Sequence, residues 1–244
     1  MSKVVATTVL PEDSGEVLTF GDTGDAIAIS GASLNLNKLQ DAGGNNMITS
    51  DGSGNLTVPS SLGGAMKLLA TNTFTNQASS SFTTLIDSTY DVYCFRFIDI
   101  NPITDAAEFQ FQVDDDAGNN GYNDFNITSS AFQAWHAEDD SNSDFSYQTD
   151  MDLAQSTSYQ NLTRNPGSDA DQSSGGELYL FNPSSTLYVK NFYARTHIGY
   201  YTDIAFSIFI GGYINTKTAI NAINFKSASG NTNGIIKMYG ISKS

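Results

Sequence analysis

Three oxygen-bearing side chains in an acidic stretch of the sequence have the spacing of a calcium-binding loop. They are Asp140, Asn142 and Asp144, which match positions 1, 3 and 5 of such a loop, where oxygen ligands converge on the ion. Two later positions depart from the pattern, because Phe145 stands where the loop needs glycine and Met151 where it needs a bidentate glutamate. The stretch is compatible with a calcium site or with a solvated acidic loop, and the second interpretation agrees better with these departures.

The residues that enzymes use for catalysis are few. The two histidines, His136 and His197, come without an H-x-x-x-H or C-x-x-C spacing, which argues against a zinc enzyme. The single cysteine, Cys94, lies in a strongly apolar strand candidate, where a buried thiol is inert. Adjacent carboxylates such as Glu138 and Asp139 could hydrolyse a glycosidic bond if they lined a groove, but acidic pairs are common in a chain with 26 Asp and Glu. We therefore expect a protein that is not an enzyme and that has no cofactor apart from the calcium alternative.

Aromatic side chains near polar residues are the better candidates for a binding role. A ring can stack on the flat apolar face of a sugar while neighbouring Asn, Asp and Gln side chains bond its hydroxyl groups. The glycan-binding candidates are Tyr122, Trp135, Tyr147, Tyr159, Tyr200 and Tyr201. The alternative for most of them is a place in the core or at its rim.

The charge balance excludes some partners. Eleven Lys and Arg against 26 Asp and Glu give a net charge of -15, which repels nucleic acid. Residues 1–11 do not resemble a secretory signal, and the apolar window at 204–214 is too short and too rich in glycine to insert in a membrane. One cysteine permits no intrachain disulfide. These features fit a protein that assembles inside a cell and leaves it by lysis.

The strand that should organise the core lies at 108–113. Its alternation predicts that Phe109, Phe111 and Val113 point into a core while Gln110 and Gln112 face solvent. Replacing Phe111 by alanine should then be costly, and replacing Gln110 nearly silent.

A second organising strand lies at 92–98, where nearly every residue is apolar. This composition predicts a central strand that is covered on both faces, with Arg96 in need of a partner. Further strands are predicted at 67–70, 82–86, 131–135, 178–181, 187–193, 205–210 and 235–241. Short helical turns are the most that 152–159 and 218–223 can form, because neither sustains an apolar stripe. The sequence therefore predicts an all-β protein whose main domain is a jelly-roll-like β-sandwich.

The first part of the chain differs from the rest. Short apolar alternations at 17–20, 26–29 and 34–36 are separated by glycine-bearing turns, and large aromatic residues are absent after Phe20. We place the boundary at the glycine-rich joint 59–64, which gives an N-terminal attachment or oligomerisation segment at 1–63 and a β-sandwich domain at 64–244. Apolar residues such as Ile27 and Leu39 need partners. Three copies wound into a homotrimer, or docking on another protein of the same particle, would supply them, whereas a flexible leader would not use them.

The chain resembles virion structural proteins of marine and other environmental tailed bacteriophages. The resemblance rests on STYDVY at 88–93, FRFIDINP at 95–102, FQFQ at 109–112, GELYLFNPSS at 176–185 and GIIKMYGI at 234–241. In the leader, LQDAGG at 39–44 and SDGSG at 50–54 are similar to the start of fibre-like phage proteins. The resemblance covers most of the chain and implies a virion component. It carries no functional residue.

Three functions compete on these observations. The first is a tail-fibre or adhesion-type structural protein, exposed on the virion, assembled in the bacterial cytoplasm and used in host attachment through a surface glycan. The second is a capsid decoration (cement) or head-fibre protein, built from the same parts but attached to the shell. The third is a carbohydrate-binding module or glycan-degrading enzyme.

Overall fold

The computed structural model describes residues 38–40, 43, 45–50, 53, 56–57, 65–119 and 121–241. The chain divides into two compact units, Met1–Pro59 and Ser60–Ser244. The described residues contain fifteen strands and no helix, and the paired strands run antiparallel. The predicted all-β class is confirmed. The joint at 59–64 and the strand candidates at 17–20, 26–29 and 34–36 lie outside the described residues.

The first unit contains a sheet of three short strands. They are β1 (Lys38–Gln40), β2 (Asn46–Ser50) and β3 (Leu56–Thr57), with β2 in the middle. Three of their large apolar side chains lie at the surface, since Leu39 is 43% exposed, Met47 37% and Leu56 68%. Where the structure describes side chains in this unit, none is buried. Strands this short have too little apolar surface for a core of their own.

The second unit contains the other twelve strands. They are β4 (Met66–Gln77), β5 (Ser80–Phe82), β6 (Val92–Pro102), β7 (Phe109–Asp114), β8 (Ile127–Ala137), β9 (Ser143–Tyr147), β10 (Gln160–Asn161), β11 (Ser174–Phe181), β12 (Lys190–Tyr200), β13 (Ile204–Ile214), β14 (Ala222–Ser227) and β15 (Thr232–Ile241). Eight of them form a large sheet in the order β4-β15-β6-β11-β12-β13-β8-β9. The other four form a small sheet in the order β10-β7-β14-β5.

The two sheets pack face to face through aromatic side chains. Phe225 of the small sheet lies 5.5 Å from Phe95 and 5.4 Å from Phe97 of the large sheet, measured between ring centroids. Phe111 meets Phe192 edge to face at 5.1 Å. The core of the unit lies between the sheets, and the predicted sandwich is present.

Four strands from the first half of the second unit pair with strands from its second half in a nested order, two pairs in each sheet. β4 pairs with β15, β5 with β14, β6 with β11 and β7 with β10. The hairpins β8–β9 and β12–β13 widen the large sheet beyond β11. β14 begins at Ala222, so the helical turn predicted at 218–223 is wrong.

The segment after β9, residues 148–163, runs along the same edge of β8 as β9 and then enters the core. The Ser129 amide donates to the Leu153 carbonyl at 2.9 Å, and Met151 and Leu162 are buried in the core. The segment is irregular apart from a bridge between Ser156 and Ile127 and the short strand β10. The helical turn predicted at 152–159 is therefore wrong as well. Its backbone groups bond the sheet instead.

The prediction for β7 was half right. Phe109, Phe111 and Val113 are buried, as expected. Gln112 is 0% exposed, which contradicts the prediction that it faces solvent. Its amide nitrogen donates to the carbonyls of residues 125, 157 and 158 at 3.2–3.3 Å, and its side-chain oxygen accepts from the Val113 amide at 2.9 Å. The second face of this strand is covered by loop backbone. A buried side-chain amide can donate hydrogen bonds to the loop carbonyl groups, whereas an apolar side chain cannot.

β6 is central in the large sheet, between β15 and β11. Its inward residues Tyr93, Phe95 and Phe97 are buried. On the other face Cys94 is buried but Arg96 is exposed, so the expected cover on both faces is wrong for this side. The uncovered face carries the side chains of most interest for function.

Candidate functional site on the outer face of the large sheet

The outer face is the surface of the large sheet that points away from the small sheet. One row of directly opposed residues crosses seven neighbouring strands of this face. This central row consists of Lys237, Arg96, Glu177, Arg195, Phe209, Phe132 and Tyr147. Strand register places them side by side because opposed residues of neighbouring strands project from the same face.

The two arginines of the central row lie against aromatic rings. The guanidinium of Arg96 is 5.5 Å from the ring centroid of Tyr239, and that of Arg195 is 5.2 Å from the ring centroid of Phe209. Neither guanidinium forms an ion pair with a carboxylate in the part of the chain that the structure describes. Glu177 lies between them in register, and its carboxylate accepts a hydrogen bond from the Tyr179 hydroxyl at 3.4 Å. Cation–π contacts of this kind leave the guanidinium N–H groups free to bind an anion.

Aromatic rings extend the outer face on both sides of the charges. Phe132 stacks on Phe209 at 5.1 Å with an interplanar angle of 9°, and Phe145 lies 5.5 Å from Phe132. Tyr179 and Tyr193 stack at 4.8 Å. Phe145 is 68% exposed and Tyr193 44%. Two exposed aromatic clusters on one face are typical of an interaction site.

A depression interrupts the outer face at Gly175. It has a volume of about 550 Å³. Its lining includes Arg96, Ile98, Gly175, Glu177, Arg195, His197 and Ser207. Gly175 leaves the floor open, because a Cβ atom there would come no closer than 3.6 Å to its nearest neighbour, the Phe97 carbonyl oxygen. His197 Nδ1 and Ser207 Oγ lie 3.3 Å apart at the wall. The depression combines two cations with hydrogen-bonding groups and falls in the size range of small-molecule sites.

Cys94 lies under the outer face. It is opposed by Tyr179 on one side and Tyr239 on the other, and it is 0% exposed. Burial raises the pKa of the Cys94 thiol, so the sulfur stays protonated and a poor nucleophile. Its burial agrees with the sequence prediction.

The residues of the calcium candidate occupy the turn between β8 and β9 and the start of β9. Asp140 bonds the His136 ring at 3.0 Å, and the Asn142 side chain accepts from the Ser143 amide at 2.9 Å. Asp144 is the second residue of β9. Across the described ranges no group of three His, Cys, Asp or Glu side chains is placed to hold a metal ion. His136 and His197 have different partners, because His197 bonds Ser207.

The six glycan candidates are dispersed. Tyr147 lies in the central row, is 53% exposed and donates from its hydroxyl to Asp152 at 2.6 Å. Tyr201 is 44% exposed, and its ring lies 4.6 Å from that of Tyr200. Trp135 is half-buried and packs against Phe206 at 6.1 Å.

The other two candidates lie near the small sheet. The Tyr159 hydroxyl donates to Asn224 at 3.0 Å, Lys226 Nζ lies 4.1 Å from its ring centroid, and burial raises the pKa of Tyr159 to about 12. Tyr122 is half-buried, with its hydroxyl oxygen enclosed. The structure therefore brings only Tyr147 to the outer face.

Sequence reasoning missed Arg195 and Gly175, which line the depression, and Phe209, whose ring lies against Arg195. A signal was present in β12, where Tyr193, Arg195 and His197 alternate with buried residues and so share one face. That this face is uncovered depends on the packing of the whole unit.

Comparisons with protein-family models, with curated protein sequences and with solved structures find no match to the chain. Within the described ranges there is no helix of the length and apolarity that a membrane-spanning helix requires. The geometry of the site is thus the basis for a functional proposal.

Proposed function

We propose that this chain is a non-enzymatic structural protein of a bacteriophage virion, a tail-fibre or adhesion-type component exposed on the particle. The observation that carries the proposal is the contrast between the two units. The first exposes its apolar side chains on short strands, while the second buries an aromatic core between two sheets. A unit with exposed apolar side chains is suited to attachment to other protein surfaces. A sandwich with its own buried core is stable alone and can be exposed on the particle.

The first unit is proposed to hold the chain in a homotrimer. Leu39, Met47 and Leu56 would find apolar partners on identical copies around a common axis, which is the simplest way to repeat one contact. Three copies would also present three outer faces together and strengthen the attachment of a weak receptor site. Docking on another virion protein is the alternative use of the same side chains.

The strand order supports a jelly roll for the second unit. The nested pairs β4–β15, β5–β14, β6–β11 and β7–β10, shared between two sheets, are what results when a long antiparallel pair of chain halves is rolled into a sandwich. Jelly rolls occur in viral capsid proteins and in lectins. This order therefore supports both a place in a virion and a binding role.

The composition of the outer face supports binding over catalysis. Its central row holds three cations and aromatic rings around one carboxylate, Glu177. Groups of this kind recognise anions and flat apolar surfaces, whereas acid–base catalysis by carboxylates needs a pair.

Solution mass tests the oligomer. The full chain should run as a trimer in light scattering, and the triple variant Leu39→Glu, Met47→Glu, Leu56→Glu should run as a monomer, because three buried charges would oppose the contact. The control is Leu187→Glu, which changes a residue that is 62% exposed in the second unit and should leave the mass unchanged. A monomeric native chain would refute self-association.

Labelling of purified phage particles with an antibody to the second unit tests the location. Label at the tail would support the proposal, and label on isolated heads would favour the capsid decoration alternative. Particles that carry no label would refute a virion role.

A further inference from the structure

We propose that the depression at Gly175 binds a carboxylate-bearing sugar, such as a uronic or sialic acid unit of a surface polysaccharide. The inference rests on the outer face alone and does not depend on whether the chain belongs to a virion. It assigns the site to Arg96, Arg195 and His197. Of the six glycan candidates from the sequence, only Tyr147 lies on the same face.

The charges of the outer face favour an acidic ligand. The chain carries only 11 Lys and Arg and a net charge of -15, yet three of those cations stand in the central row with one carboxylate. In a chain with 26 acidic residues, two guanidiniums without an ion pair among the described residues are unexpected. The planar guanidinium matches a carboxylate with two parallel N–H bonds. An acidic ligand would supply the missing partner.

The spacing of the cations leaves room for a sugar ring. Arg96 and Arg195 stand on strands that flank β11, so their Cα atoms are about 10 Å apart, and His197 lies about 7 Å from Arg195 along β12. A carboxylate on one guanidinium therefore places a sugar ring over Gly175, where no side chain intervenes. The Ser207 hydroxyl and the His197 ring stand at the wall, where they can bond sugar hydroxyl groups.

Aromatic rings beside the depression favour a saccharide. The Phe209 ring contacts the Arg195 guanidinium on one side and stacks on Phe132 on the other, along the central row. A saccharide that anchors its carboxylate on Arg195 can lay its next ring on this apolar strip, which suits the flat face of a pyranose. A flat apolar partner would instead bury both guanidiniums without a counter-charge, and that carries a desolvation penalty.

Calorimetric titration of the full chain at 0.15 M salt tests the site. The probes are trigalacturonic acid and 3′-sialyllactose, with the trimethyl ester of trigalacturonic acid and the methyl ester of 3′-sialyllactose as their neutral counterparts. At least one acidic probe should bind, and its neutral counterpart should bind about tenfold more weakly or worse, because a charge-assisted hydrogen bond is lost.

Two variants address the site from different sides. Arg195→Met keeps the apolar stem, removes the charge and should raise the Kd roughly tenfold to a hundredfold. Gly175→Val leaves every charge in place and fills the floor, so it should abolish binding. The matched controls are Lys226→Met, which removes a cation near the small sheet, and Gly211→Val, which adds a side chain in open space on β13. Thermal melts should show all four variants folded.

The inference is overturned if no acidic probe binds the native chain or if the neutral counterparts bind equally well. It is also overturned if the controls weaken binding as much as the two site variants, or if inorganic sulfate at equal ionic strength displaces the sugar completely, which would indicate a general anion patch. None of these results bears on particle labelling, so the proposed function and this site fail separately.

Discussion

Replacing Phe225 by alanine should remove the centre of the aromatic core. Phe225 is 0% exposed on β14. Its ring contacts five others at centroid distances of 5.4–6.4 Å, those of Phe82, Phe95, Phe97, Phe109 and Phe111. These rings come from both sheets, so one side chain connects the two layers of the sandwich.

The magnitude follows from those contacts. A buried Phe→Ala substitution costs about 3–5 kcal/mol, and each aromatic pair adds about 0.5–1.5 kcal/mol beyond the area it buries. With five partners the loss should lie near the upper limit, about 5 kcal/mol. Since domains are stable by about 5–15 kcal/mol, this is a large share of the total. For a unit of this size it corresponds to a fall in Tm of roughly 10–20 °C.

Urea denaturation followed by tyrosine and tryptophan fluorescence measures the effect. Phe225→Leu should lose clearly less, because it retains most of the volume. Phe145→Ala changes a ring that is 68% exposed and should cost less than about 1 kcal/mol. A loss for Phe225→Ala no larger than that for Phe145→Ala would refute the arrangement of the two sheets.

Two further predictions concern polar groups in the same unit. Gln112→Ala should cost about 2 kcal/mol or more, because it leaves carbonyl groups buried beside β7 without a hydrogen-bond donor. Gln110→Ala on the same strand should cost about 1 kcal/mol or less, since Gln110 is half-buried and donates to Asn161. Equal losses in urea denaturation would contradict this prediction. Tyr93→Phe should flatten the loss of stability at alkaline pH. Burial raises the pKa of Tyr93 to about 12, so folding favours the neutral hydroxyl, and the stability this gives is present below about pH 10 and is lost as pH rises toward 12. Denaturation between pH 8 and 11.5 checks the slope, and an unchanged slope in the variant would oppose the assignment.

The sequence was informative wherever one face of a strand is buried and the other is wet. The alternation in β7 and the apolar run in β6 predicted their inward residues correctly, because period 2 reports the core directly. The same patterns misplaced Gln112 and the outer side of β6. Whether the second face of a strand meets loop backbone or solvent depends on distant segments, here the segment 148–163.

Polar side chains in the core are the other residues that the sequence could not place. Lys190 is 0% exposed, and its ammonium group donates to the carbonyls of Ser185, Tyr188 and Thr216 at 2.5–3.2 Å. Burial lowers the pKa of this lysine. A lysine at the start of a strand ordinarily indicates solvent, and only the loops that converge on it provide the acceptors. Arg96 of the outer face was misread in the opposite sense, since it was expected to be covered and to need a partner and is exposed.

The nested pairing of strands also determines when the sandwich can form. β15, the last described strand, lies between β4 and β6, two of the first strands of its unit. Within the described residues β4 pairs with β15 alone, from Met66 opposite Ile241 onward. At about 5–20 residues per second, synthesis of 244 residues takes roughly 10–50 s, and the early strands lack their partners for most of that time. Folding of the second unit must therefore wait until β15 has been synthesised, and its many long-range pairings place it among slow folders. Before β15 is made, β4 and β6 each lack a neighbouring strand of the large sheet. Their unpaired backbone edges are then open to aggregation.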